Sequence, residues 1–219
     1  DGYTKDEQIY EVYSNHLPTI ISNTPRMALV GELFKYQVRV EDLNEGANLK
    51  YNLIKGPHGM QLDKSGKILW VPKAAQINYN DFEVSVTDGY GTDIQSGRIF
   101  INNPPSIIST PKPVGLTGHT WRYKLTTEDL NGDRVTYRAV RWPKFAKVDR
   151  RTATLEWTPR KNQDGVNDFI LMAVDEHGAT TTHDFQVHVF YDPSAKQLVN
   201  SGWPLMLTFV GVVFAWGAG

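Results

Sequence analysis

Cysteine occurs nowhere in the 219 residues. Disulfide scaffolds and thiolate metal sites are therefore excluded, and stability rests on hydrophobic cores. No Asn-x-Ser/Thr acceptor is present either, which fits a bacterial envelope protein better than a eukaryotic surface protein. No excess of one charge exists: 23 basic residues face 24 acidic ones, for a net charge of −1. Without a basic stripe, nucleic acid is not an expected partner. Long amphipathic helical patterns are missing as well, so a parallel βαβ architecture is a poor fit.

What is there occurs twice. Glu41-Asp42-Leu43-Asn44 returns as Glu128-Asp129-Leu130-Asn131, and sliding the chain on itself by about 87 residues aligns much more, the mark of a repeated structural unit. Gly31 meets Gly118 and Tyr36 meets Tyr123. After a one-residue slip Tyr51 meets Tyr137, Pro57 meets Pro143 and Asp63 meets Asp149; the register then returns for Trp70 with Trp157, Pro72 with Pro159 and Asp88 with Asp175. A unit of that size holds its own core, which predicts two domains of one fold.

Phe34, Tyr36, Val38 and Val40 alternate with polar residues, as do Phe82, Val84 and Val86, and in the second unit Trp121, Tyr123 and Leu125, then Phe169, Leu171 and Ala173. Period-two alternation between turn-forming clusters predicts half-buried strands of a sandwich. Residues 1–17 read as an N-terminal arm, 18–103 and 104–193 as the two sandwiches, and 194–219 as a linker and membrane segment. Asn102-Asn103-Pro104-Pro105 joins the sandwiches, and the two prolines make that joint short and stiff.

No charged residue follows Lys196. Trp203, Pro204, Leu205, Leu207, Phe209, Val210, Gly211, Val213, Phe214 and Trp216 dominate the stretch. As a helix, 198–219 would span about 33 Å, enough for a hydrocarbon core of about 30 Å. The sequence is therefore read as a single-pass membrane protein with its bulk outside the cytoplasm, in a bacterial periplasm or at the cell surface. The other reading of the tail is a buried strand or hairpin. Asp1 in place of methionine points to a cleaved signal segment or to residues upstream.

Signals for chemistry are weak. His16, His58, His119, His177, His183 and His188 are scattered and form no zinc motif. Asp88-Gly89-Tyr90-Gly91 joins two expected strands and lacks the Lys-Ser/Thr of a phosphate loop. No serine stands in a nucleophile elbow, and no paired acids face a cleft. The chain is expected not to be an enzyme and to need no cofactor. Trp70 and Trp157 share one place in the repeats, beside apolar residues and before a proline, which suits core packing better than a sugar platform. Trp142 with Phe145 is the pair expected at a contact surface.

Val40-Glu41-Asp42, Gly59-Met60-Gln61-Leu62-Asp63, Trp70-Val71-Pro72, Val86-Thr87-Asp88-Gly89 and Asn103-Pro104-Pro105, with Gly132-Asp133, Trp157-Thr158-Pro159 and Val174-Asp175 in the second unit, resemble cadherin-like and dystroglycan-type immunoglobulin-like modules. That resemblance implies an all-β fold of two tandem Greek-key sandwiches, here with one C-terminal transmembrane helix. It also implies adhesion, spacing or carbohydrate contact, and calcium between domains. The oxygen donors for calcium are Glu41, Asp42, Asp88, Glu128, Asp129, Asp133 and Asp175, against a local reading in which the acidic residues close turns. Two functions stay open. One is a structural subunit of a larger membrane complex in secretion, motility, respiration or photosynthesis, contacting other protein subunits; the other is an independent adhesin or carbohydrate-binding receptor.

Overall fold

Alternation of apolar and polar residues becomes two copies of one strand plan in the computed structural model, which describes residues 8–12, 14–44 and 46–196. The first repeat contains β1 (Thr19–Ile20), β2 (Met27–Leu29), β3 (Phe34–Gln37), β4 (Val40–Glu41), β5 (Lys50–Lys55), β6 (Gln61–Leu62), β7 (Lys67–Trp70), β8 (Asn78–Thr87) and β9 (Thr92–Asn102). They form sheets ordered β2-β9-β8-β5 and β3-β7-β6, with β1 paired to β4. Strand β2 runs parallel to β9, and the other registered pairs of this repeat are antiparallel.

The second repeat contains β10 (Ser106–Ile107), β11 (Val114–Leu116), β12 (Trp121–Lys124), β13 (Thr127–Glu128), β14 (Thr136–Arg141), β15 (Lys147–Asp149), β16 (Thr154–Trp157), β17 (Gly165–Val174) and β18 (Thr180–Phe190). Its sheets, β11-β18-β17-β14, β12-β16-β15 and β10-β13, repeat the order of the first. The one-residue slip lies in loops: the segment between β4 and β5 is one residue longer than its copy, and the turn after Asp63 is one residue shorter than the turn after Asp149. Strand registers are thus preserved, because a shift inside a strand would turn every buried side chain outward.

Side-chain alternation decides the core. Phe34, Tyr36 and Val38 point inward and pack with Ile68, Trp70, Phe82, Val84, Ile99 and Ile101. In the second repeat Trp121, Tyr123, Leu155, Trp157, Phe169, Val187 and Val189 are buried. Full burial of such side chains stabilises by about 1.5–3 kcal/mol each. Trp70 lies opposite Phe34 across β3–β7, and Trp157 opposite Trp121 across β12–β16. Both tryptophans are 1% exposed, so they are core residues and not sugar platforms.

Packing divides the chain into two compact units. One holds the first repeat to Thr110 with Leu125–Val140 and Ile170–His183; the other holds Pro111–Lys124, Arg141–Phe169 and the chain from Asp184. Helical structure among the described residues is limited to three short 3-10 turns, at Ala74–Gln76, Lys161–Gln163 and Pro193–Lys196. No helix among them is long and apolar enough to cross a membrane. The expected transmembrane helix, with Trp203, Pro204, Leu205, Leu207, Phe209, Val210, Gly211, Val213, Phe214 and Trp216, lies outside the described residues.

Candidate functional site

Within the first unit, one polar pattern is built twice. The chain entering the first repeat places the Asn15 Nδ2 as donor to Asp88 Oδ2 at 2.8 Å, while the His16 N–H donates to Asn44 Oδ1 at 2.7 Å. The connector does the same for the second repeat: Asn102 Nδ2 donates to Asp175 Oδ2 at 2.7 Å, and the Asn103 N–H donates to Asn131 Oδ1 at 2.7 Å. Asn44 and Asn131 each return a bond from Nδ2 to a backbone carbonyl, that of Ser14 and that of Ile101 respectively. Only the surroundings differ. The Asn15 pair is exposed, whereas Asn102 is 0% and Asp175 5% exposed.

The acidic tetrapeptides themselves close turns. Asp42 Oδ1 accepts the Asn44 N–H at 2.9 Å, and Asp129 Oδ1 accepts the N–H groups of Asn131 at 2.9 Å and Asp133 at 3.3 Å. Asp88 accepts the N–H groups of Tyr90 and Gly91 in the turn from β8 to β9. Those bonds, led by Gly91, hold its carboxyl below the usual value. Asp88 therefore belongs to a strand-connecting turn, not a phosphate loop.

The second repeat adds a cluster of acids that the described residues of the first do not form. Asp129, Asp133 and Asp175 offer carboxylate oxygens all within 4.8 Å of one another, and Asp133 also groups with Glu176 and His177. The His177 Nε2 stands 3.7 Å from Asp133 Oδ2. Burial raises the Asp133 carboxyl above its usual value; His177 opposes this, and Asp129, Glu176 and Asp175 add to it. Asp129 Oδ2, Asp133 Oδ2 and the Oδ1 of Asn102 are buried without a hydrogen-bond partner. Unpartnered buried oxygens are costly, and an all-oxygen set of this kind suits a hard cation such as calcium, which takes six to eight oxygens. Asp129, Asp133, Asp175 and Asn102 are the residues that would hold it.

Of the seven acids singled out in the sequence, the structure gathers these three and no others. Glu41 and Glu128 sit exposed on the short β1–β4 and β10–β13 ladders, Asp42 stays with its own turn, and Asp88 is met by Asn15. Asn102, Glu176 and His177 went unnoticed as site residues. The signal for the last two was their adjacency to Asp175, whose Oδ1 accepts the N–H groups of His177 and Ala179 and so turns the chain.

The second unit carries a groove of about 960 Å³ over the outer face of β12-β16-β15. Arg122, Lys147, Arg160, Lys161, Phe145 and Tyr191 are among its lining residues. The Arg160 guanidinium lies 3.4 Å over the Phe145 ring centroid, and the Lys161 ammonium 5.1 Å from that of Tyr191. Arg122 pairs with Glu156 at 2.6 Å, and Asp192 pairs with His119 at 2.8 Å. Phe145 lines this groove; Trp142, its expected companion, is exposed but is not among the lining residues.

Such a pair of β-sandwiches defines a tandem immunoglobulin-like protein. Both repeats match the He_PIG family model, "Putative Ig domain", over residues 17–101 and 104–190, and the chain belongs to that family. Among curated proteins no match is found. Among solved structures, the chain is similar to an endo-fucoidan hydrolase of glycoside hydrolase family 107, at 20% identity and a TM-score of 0.35 over 80% of this chain and 29% of that one. It is similar to the I67-I69 fragment of titin at 12% identity and 0.48, over 81% and 67%, and to human protocadherin-24 EC1-2 at 14% and 0.37, over 80% and 100%. The chain thus spans under a third of the hydrolase. All three scores fall below one half, and no function is carried over from them.

Proposed function

We propose that this chain is a non-catalytic protein-contact module that braces a larger membrane complex on its extracytoplasmic side. The observation that carries this reading is the buried connector: the short link Asn102-Asn103-Pro104-Pro105, whose Asn102 is fully enclosed and bonded to a carboxylate, resists bending far more than a solvated linker does. A stiff joint serves transmission of position between partners. Immunoglobulin-like modules in tandem are suited to such contact, and the fold alone specifies no reaction. Calcium at Asp129, Asp133 and Asp175 would neutralise three clustered charges and hold the joint tighter. The apolar, charge-free stretch 198–219 supplies the single membrane pass, and Gly202, Gly211 and Gly217 permit close helix packing there.

Gentle detergent extraction from native membranes, followed by sizing and mass spectrometry, tests the reading. Stoichiometric co-migration with a large assembly is the expected result. Migration as a lone species of about 25 kDa plus detergent would overturn it and leave an independent surface receptor.

A further inference from the structure

The chain contains its own control for the groove. At the turn after β5, the first repeat has Pro57-His58-Gly59, with Gly59 at φ +86, and the second has Pro143-Lys144-Phe145, with Phe145 at φ +71. The two turns are otherwise built alike: Gln76 Nε2 donates to the His58 carbonyl at 3.0 Å, and Gln163 Nε2 to the Lys144 carbonyl at 3.0 Å. A phenylalanine in the left-handed region is strained where glycine is not, and such strain persists at functional positions. Its ring is half exposed and supports the guanidinium of Arg160, whose counterpart in the first repeat is Lys73. Lys161 replaces Ala74, and Tyr191 replaces Pro104. At this place in the fold the aromatic-backed cations belong to the second repeat, while in the first Arg98 lies over Tyr79 on another strand pair.

The charges do not cancel. Four cations, Arg122, Lys147, Arg160 and Lys161, line the groove against two carboxylates, Glu156 and Asp192. Both carboxylates are engaged, by Arg122 and His119, and Asp192 also accepts from Ser194 N–H and Oγ. Among the described residues no carboxylate forms an ion pair with Lys147, Arg160 or Lys161. Lys147, Arg160 and Lys161 are thus open to carboxylates brought by another molecule.

We propose that this groove docks an acidic segment of a partner protein, its Asp or Glu side chains pairing with Arg160 and Lys161. A guanidinium held flat on a ring keeps its N–H edge free for a bidentate carboxylate. The rings of Phe145 and Tyr191 already carry cations, so they orient charge instead of offering bare stacking faces to sugar. A cleft of this size falls in the range that encloses compact ligands. The proposal rests on the reading of the chain as a protein-contact module and supplies the chemistry of the partner.

The test titrates the whole protein with fluorescein-labelled octaglutamate by anisotropy at low salt. Binding is expected, weakened at least tenfold by the double change Arg160→Gln and Lys161→Gln at an unchanged melting temperature, and unaffected by Lys73→Gln at the matching place in the first repeat. Arg160→Lys keeps the charge without the planar fork and should fall between. Three results would overturn the proposal: no octaglutamate binding up to millimolar concentration, equal weakening by Lys73→Gln, or tighter binding of an oligouronate of equal charge. Extraction with the double variant separates the two readings. A complex that survives it sinks the groove as a docking site alone; a wild-type chain with no complex sinks the bracing function while the titration still reports on the groove.

Discussion

Replacing Asn102 by alanine probes the joint directly. The lost Nδ2 bond to Asp175 is one to a charged acceptor, worth about 1.5–3 kcal/mol. Asn102 is 0% exposed, so water does not replace it. Alanine also removes the unpartnered Oδ1, which returns about 1 kcal/mol, the lower end of the cost of such a buried group. The net destabilisation without calcium is therefore about 0.5–2 kcal/mol, or about 1–8 °C in melting temperature for a chain of this size. With calcium bound, Oδ1 is no longer an orphan and alanine recovers nothing, so the penalty should grow. The assay is thermal unfolding of wild type, Asn102→Ala and Asn15→Ala, each in EDTA and in millimolar calcium. Asn15→Ala removes the same bond in an exposed setting and should change little. Equal losses for the two variants would refute the claim that burial gives the connector its stiffness, and a calcium-independent Asn102→Ala penalty would remove Oδ1 from the ion's ligands.

Calcium at about a hundred times its dissociation constant should stabilise the wild type by about 2.7 kcal/mol, and Asp129→Asn should abolish the shift while sparing the fold; an unshifted wild-type transition would count against the site. The Asp133 carboxyl is raised above 3.8 mainly by burial, so between 3.8 and its folded value the native state binds the extra proton and stability falls as pH rises through that window. In EDTA, Asp133→Asn should therefore gain on the wild type as the pH is taken from 4 towards 7, read as melting temperature. Asp63, Asp88, Asp149 and Asp192 have the opposite sign: hydrogen bonds, side-chain for all but the backbone-led Asp88, hold them below 3.8, and their contribution is complete above 3.8 and lost as pH falls through the folded values. Trp157→Ala should cost about 3–5 kcal/mol, because its ring is buried edge-on against Phe169 at 5.4 Å; a loss under about 1 kcal/mol in urea unfolding would mean that the core is mispacked.

The sequence by itself determined the duplication, the strand alternation and the buried tryptophans. These are local or periodic properties: a strand's inward face is written in every second residue, and a repeat doubles the signal. It also marked Asp129, Asp133 and Asp175, but could not separate them from Glu41, Asp42, Asp88 and Glu128, since all seven stand in similar turn sequences. Only the tertiary structure decided that the three meet, because the ends of β13 and β17 converge beside Asn102, while among the described residues of the first repeat no acid joins Asp88 as Asp133 joins Asp175. Phe145 was legible as an unusual exposed aromatic. Its partner was not: Arg160 lies fifteen residues further on, and a ring carrying a guanidinium is a contact across the fold, with no period or spacing to announce it.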